Sequence, residues 1–200
     1  MGRKPAQDPL NTNTPSSDAE YISANSMASN SNMRVAIAAG LIVLADQITK
    51  YLVQRYLPYM QEWIVIDGFF KLVHWGNTGA AWSLFRDYNE VLAMVSVLAL
   101  GVLFLGRRHF DSGTPVGQIA LGLLFGGIVG NLIDRVHEDR RHVIDFIRFY
   151  VNQRGGGEIG FPAFNVADSA ICVGVGLLFL LSWKNGHAQS PPREDATRRA

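Results

Sequence analysis

The chain has 200 residues, 48% of them hydrophobic, and a formal net charge of +1. That length suits one domain, and the near-neutral balance leaves no basic excess for binding nucleic acid. A single cysteine, Cys172, excludes an internal disulfide, and with no histidine near it in sequence it makes a poor nucleophile.

The apolar residues are clumped into four stretches joined by polar loops, which argues for a membrane protein over a soluble bundle of buried helices. Residues 1–33, rich in Asn, Ser, Pro and Asp, read as a disordered tail. They lack the basic start and immediate apolar core of a secretory signal, so the first span is expected to be uncleaved. Its apolar part, Val35 to Ala45, cannot cross ~30 Å of hydrocarbon alone. Continued to Val53 it reaches roughly 28 Å at ~1.5 Å per residue, with Asp46 and Lys50 at the membrane edge. The loop 54–90 holds a run from Trp63 to Trp75 rich in β-branched and aromatic residues, which suits a small sheet at the interface. Span two is expected over 91–106, and Arg107 to Thr114 is a short polar link. Span three, over 115–134, carries Gly122, Gly126 and Gly130 at four-residue intervals with Gly127 beside them, a ladder that lets helices approach closely in lipid. The loop 135–165 includes Gly155-Gly156-Gly157, a flexible turn. Span four follows over 166–183, with Cys172 read as a small packing residue inside it, and 184–200 forms a second polar tail. The fold class is thus an all-α membrane protein of four transmembrane helices, residues 34–183, with a small β-rich subdomain on one face.

Alternating passage brings the end of span one, the end of span three and the start of span four to one depth. Asp46, Asp134 and Asp168 stand at those ends. An ionised carboxylate near the hydrocarbon edge gives up ~2–3 kcal/mol of insertion energy, so several at one level read as a site. The two long loops lie on that same face. Orientation is left open, because both tails inside would put nine Lys/Arg within and eight outside, with Lys50 in a span.

Asp46 and Lys50 are four apart on one helix face and can neutralise each other. Asn77-Thr78-Gly79-Ala80-Ala81-Trp82 offers Asn77 either to a peptide backbone or to a turn. Asp134 and Arg135 close span three. Val143-Ile144-Asp145-Phe146-Ile147 sets one acid in an apolar pentad, and Asn165 and Asp168 share a face three residues apart. No His-Glu-x-x-His, Gly-x-Ser-x-Gly or Gly-Lys-Ser/Thr occurs, and the five histidines are scattered. Carboxylates remain. Two close aspartates cannot both ionise, and the half-protonated pair can activate water with one member while the other protonates a carbonyl oxygen. That chemistry needs no metal and no cofactor. Locally, Asp46, Asp134, Asp145 and Asp168 are unranked, and a proton- or ion-coupled small transporter is the alternative that intramembrane acids invite.

Taken together, Asp46-Gln47-Ile48-Thr49-Lys50, the Asn77 to Trp82 string, the run from Gly126 to Arg135, the Asp145 pentad and Phe164-Asn165-Val166-Ala167-Asp168 resemble the lipoprotein signal peptidase (signal peptidase II) family, in the family's order. The resemblance covers Arg34 to about Trp183. It implies an aspartic endopeptidase of the bacterial inner membrane, with both termini cytoplasmic, the β-rich subdomain extracytoplasmic and the site at the periplasmic face. It places the catalytic pair on Asp145 and Asp168, and substrate-binding or site-shaping positions on Asp46, Lys50, Asn77, Gly127, Asn131, Arg135, Asn165 and Ala167. Asp134 is expected to be structural. The implied partners are diacylglyceryl-modified prolipoproteins, cut before the lipid-bearing cysteine, and membrane lipid; the chain is expected to act as a monomer. The tail before Arg34 and the Gly-rich stretch from Asn152 to Gly160 are longer than is usual in the family.

Overall fold

A computed structural model of the chain describes residues 17–79, 87–107 and 113–188, with side chains over 30–79, 87–107 and 113–184. Ala80, Ala81 and Trp82 of the Asn77 string, Arg108 of the short polar link and the outer parts of both tails lie outside these residues. The elements run α1 (Ser17–Tyr56), β1 (Glu62–Ile66), β2 (Phe70–Asn77), α2 (Asn89–Gly106), α3 (Pro115–Val136), β3 (Val143–Asn152), β4 (Glu158–Gly160) and α4 (Val166–Ala188).

Among the described residues, four helical segments are long and apolar enough to cross a membrane: Asn30–Tyr56, Asn89–Gly106, Pro115–Val136 and Val166–Lys184. α1 begins at Ser17, inside the stretch read as a tail, and no proline or glycine interrupts the chain between Pro15 and Gly40. α3 is the central helix, with half of its span buried, whereas α1, α2 and α4 turn large apolar side chains such as Leu41, Leu98 and Phe179 outward. That surface is what lipid covers. Thr114 caps α3, its side chain accepting from the Gly117 N–H at 3.0 Å, and Pro115 takes the first turn where its missing N–H costs nothing.

The glycine ladder is used for packing on two sides. A Cβ on Gly122 would stand 2.5 Å from Ala38 Cβ, and one on Gly126 would stand 2.7 Å from the Ala39 carbonyl, both on α1. A Cβ on Gly127 would meet the Ala167 carbonyl of α4 at 2.5 Å. Only a bare backbone lets α3 lie against both neighbours.

The loops form one four-stranded antiparallel sheet in the order β1-β2-β3-β4. Gly155, Gly156 and Gly157 turn the chain from β3 to β4 with φ of +107°, +94° and +93°, a left-handed run that side-chain-bearing residues resist. β1 is an edge strand with Trp63, Ile64, Val65 and Ile66 exposed. Cys172 is exposed on α4 rather than packed, since its face of the helix borders a cavity instead of a neighbour.

Candidate active site

Strand register aims the first acid. A bulge in β2 between Leu72 and Trp75 shifts its pairing with β3 by one residue, so Trp75 pairs with Asp145 and Asn77 with Val143. Without that extra residue Trp75 and Asn77 would face the opposite side from Asp145. With it, Asn77 Nδ2 reaches Asp145 Oδ2 diagonally at 3.0 Å. Asn77 also closes a turn, its Oδ1 accepting from the Gly79 N–H at 2.9 Å, which is the turn reading of this residue.

The second acid is aimed by a helix cap. Asn165 precedes α4, and its Oδ1 accepts from the Asp168 N–H at 2.9 Å while the Asn165 N–H donates to Asp168 Oδ2 at 3.2 Å. This reciprocal pair satisfies the exposed amides of the first turn and fixes the carboxylate. Asp168 Oδ1 then accepts from Asn131 Nδ2 of α3 at 2.7 Å. Asn165 also donates through Nδ2 to Asp145 Oδ1 at 2.9 Å, to the Ile144 carbonyl at 3.2 Å and to Asn131 Oδ1 at 3.1 Å. One asparagine thus holds both acids, and both line one cavity of about 1070 Å³. Asp145 is only 3% exposed. Burial, joined by the charge of Asp168, pushes its carboxyl up to about 7, against the pull of the Asn77 hydrogen bond, the Lys50 charge and the Asn165 hydrogen bond.

Behind this pair lies a second polar cluster. Lys50 Nζ is 2.7 Å from Asp46 Oδ2 and 2.8 Å from Asp134 Oδ2, all three side chains being sealed from solvent. Asp46 Oδ1 accepts from the Ala167 N–H at 3.0 Å, and Asp134 Oδ2 from the Ile144 N–H at 3.3 Å. The cluster therefore ties α1 and α3 to the start of α4 and to β3. The convergence expected of Asp46, Asp134 and Asp168 is present, and Asp134 has the structural partners expected of it.

Of the ten positions singled out in the sequence, Asn77, Asn131, Arg135, Asp145 and Asp168 line the cavity. Asp46, Lys50, Gly127, Asn165 and Ala167 stand behind it and shape it without lining it. Arg135 Nη2 donates to the Gly79 carbonyl at 2.7 Å and Nη1 to Asn89 Oδ1 at 3.1 Å. Asn89, which also donates to the Arg135 carbonyl at 2.8 Å, escaped the sequence reading. So did Gln47, whose Nε2 reaches Asp46, the Gly130 carbonyl and Asp134. Their signal was available: each is a strongly polar residue at or inside an apolar stretch. Among the described residues no group of three or more His, Cys, Asp or Glu stands together to hold a metal ion.

Four spanning helices whose polar residues collect at one end, around carboxylates that open on a cavity, define a multi-pass membrane protein with an acid-centred site. Residues 38–184 match the sequence model of signal peptidase (SPase) II. A lipoprotein signal peptidase of Geobacter sulfurreducens is 44% identical over 146 residues, covering 72% of this chain and 86% of that one. One from Symbiobacterium thermophilum is 41% identical over 144 residues, covering 72% and 90%. One from Dehalococcoides mccartyi is 40% identical over 165 residues, covering 80% and 94%. Among solved structures, a bacterial membrane enzyme determined by the in meso method at 2.3 Å matches with a TM-score of 0.62 and 30% identity, over 79% of this chain and 92% of that one. The chain belongs to the signal peptidase II family. Nothing in these likenesses favours the transporter.

Proposed function

We propose that the chain removes signal peptides from prolipoproteins as an aspartic endopeptidase, cutting before a cysteine that already carries diacylglyceryl. The observation that carries this reading is the shared grip of Asn165 on Asp145 and Asp168 at the wall of one cavity. The 2.7 Å bond from Asn131 to Asp168 is of charge-assisted length and suits Asp168 as the ionised member. Asp145, with its carboxyl pushed up to about 7, suits the proton carrier. Asp168 takes a proton from water as the water attacks the scissile carbonyl, and Asp145 donates to the carbonyl oxygen. The tetrahedral intermediate then collapses as the amine leaves with a proton from the pair. No metal or cofactor enters these steps, and one chain supplies every residue they use.

Phe161, Phe164 and Ile171 give the cavity an apolar side on which a lipid-bearing substrate can rest. In the orientation we favour, both termini are cytoplasmic and the cavity opens at the periplasmic face of the inner membrane. The exposed aromatic and branched residues of β1 then lie at headgroup depth.

Purified protein incubated with a diacylglyceryl-modified precursor tests the reading. Asp145→Asn and Asp168→Asn should each lower the cleavage rate by ~10³-fold or more while leaving the protein folded. Cleavage at the normal rate by both variants would overturn it. EDTA should leave the rate unchanged, and a loss that zinc restores would count against a metal-free mechanism.

A further inference from the structure

Lys50 is 1% exposed and does not line the cavity. Its three N–H groups meet three acceptors: Asp46 Oδ2 at 2.7 Å, Asp134 Oδ2 at 2.8 Å and Asn131 Oδ1 at 3.0 Å. Every donor is therefore used. Asn165 Nδ2 brings a second donor to the same Asn131 oxygen at 3.1 Å. An amide oxygen has two lone pairs, and both are now taken. Flipping the Asn131 amide would set its NH₂ group against two donors, so one orientation survives. In that orientation Asn131 Nδ2 must point at Asp168 Oδ1, where it stands at 2.7 Å.

We propose that Lys50 is a positioning residue for the reaction: through Asn131 it holds Asp168 in a 2.7 Å hydrogen bond that favours its ionised form, and so directs the shared proton to Asp145. This rests on the aspartic dyad proposed above. A substrate-contacting role for Lys50 is not compatible with its place behind the cavity wall. The charged groups around Asn131 are Asp46 and Lys50 from α1, Asp134 and Arg135 from α3, Asp145 from β3 and Asp168 from α4. Arg140, past the end of α3, stands 4.0 Å from Asp134. Lys50 is the cation of this set that bonds Asn131, and its charge also reaches Asp145.

The test is the pH dependence of kcat, measured on a diacylglyceryl-modified precursor for variants shown to be folded by thermal unfolding in detergent. Lys50→Gln removes the charge and should lower kcat at least tenfold at neutral pH. It should also move the bell-shaped profile up by about one pH unit, because ionising the pair becomes harder without the cation. KM should stay within about twofold, since Lys50 touches no substrate. Asp134→Asn leaves Lys50 less compensated and should move the profile the opposite way. Should Lys50→Gln fail to fold, Asp134→Asn decides alone. Profiles that stay at the wild-type position, or a loss confined to KM, would overturn the positioning role. If Asp145→Asn and Asp168→Asn are inert while these profiles do not move, only this inference fails. If those two variants cleave normally, the dyad reading fails first.

Discussion

Two pairs of carboxylates lie side by side at one end of the helix bundle, and only one pair is bonded to a cation. Asp46 and Asp134 share Lys50 at 2.7 and 2.8 Å. Among the described residues no ion pair reaches Asp145 or Asp168, which are held by asparagines and backbone amides alone. Arg135 borders the same cavity and bonds Gly79 and Asn89, so its charge acts on Asp145 and Asp168 only across space. The difference teaches what each pair is for. A pair bonded to a cation binds elements together, whereas a pair fixed by neutral donors is held in place without being committed to one protonation state. Asn131 joins the two, touching Lys50 on one side and Asp168 on the other.

Stability breaks the comparison most forcefully. Lys50→Met leaves two carboxylates buried with no partner ammonium, and removing one member of a buried charge set costs ~3–5 kcal/mol. A large fall in the thermal midpoint in detergent micelles is expected at neutral pH. An unchanged midpoint would mean that water reaches the cluster, against its burial. The packing that brings the two pairs together gives a smaller effect. Gly127→Ala drives a methyl group to 2.5 Å from the Ala167 carbonyl and 2.7 Å from Ile171 Cγ1, which should cost about 2–3 kcal/mol. Because Ala167 is followed directly by Asp168, the displaced turn carries a dyad member away from Asn131. Gly122→Ala meets Ala38 of α1, at the other end of the bundle from the dyad. It should lower stability with little change in kcat, whereas Gly127→Ala should lower both. Equal effects of the two substitutions on kcat would show that the α3–α4 approach does not set the dyad.

The spans were legible because hydropathy and helix punctuation act locally. Thr114-Pro115 marks the start of α3, and four-residue spacing marks the ladder. The salt bridge from Asp46 to Lys50 was legible for the same reason, being a contact within one helix. The capping pair of Asn165 and Asp168 was half visible, since the three-residue spacing showed a common face but not the reciprocal bonds. What sequence could not give was the choice between pairs of acids. Four aspartates of similar local character differ in whether Lys50 bonds them and in whether they line the cavity, and both depend on how the helices and β3 pack. The family resemblance suggests the choice that we propose, and the position of Asp145 and Asp168 on the cavity wall supports it. The β2 bulge that turns Asn77 toward Asp145 was likewise invisible, because a one-residue slip leaves no trace in an already apolar run. Asn89 was read as loop, although its side-chain amide clamps Arg135 at both the carbonyl and the guanidinium. Cys172 looked like core because hydropathy cannot separate a helix face that packs from one that borders a cavity.

The smallest predicted effect concerns the uncompensated pair and follows from the sign of one proton equilibrium. Asp145 has its carboxyl raised in the folded state from 3.8 to about 7. The folded protein therefore binds this proton more tightly than the unfolded chain does. Its contribution to stability is complete below the unfolded value and is lost as pH rises through about 7. Above that, the fold must hold an ionised carboxylate in a dry place beside a second acid. Asn at this position cannot ionise, although its NH₂ must face a donor from Asn77 or Asn165, an offset that does not vary with pH. Between pH 6 and pH 8 the stability of Asp145→Asn should therefore gain on the wild type by about 1–2 kcal/mol. Paired thermal unfolding curves across that range measure the difference. Asp46→Asn should instead lose stability, because it takes a partner from the buried Lys50. Parallel curves for Asp145→Asn and wild type would place Asp145 among the compensated acids, and the contrast between the two pairs would disappear.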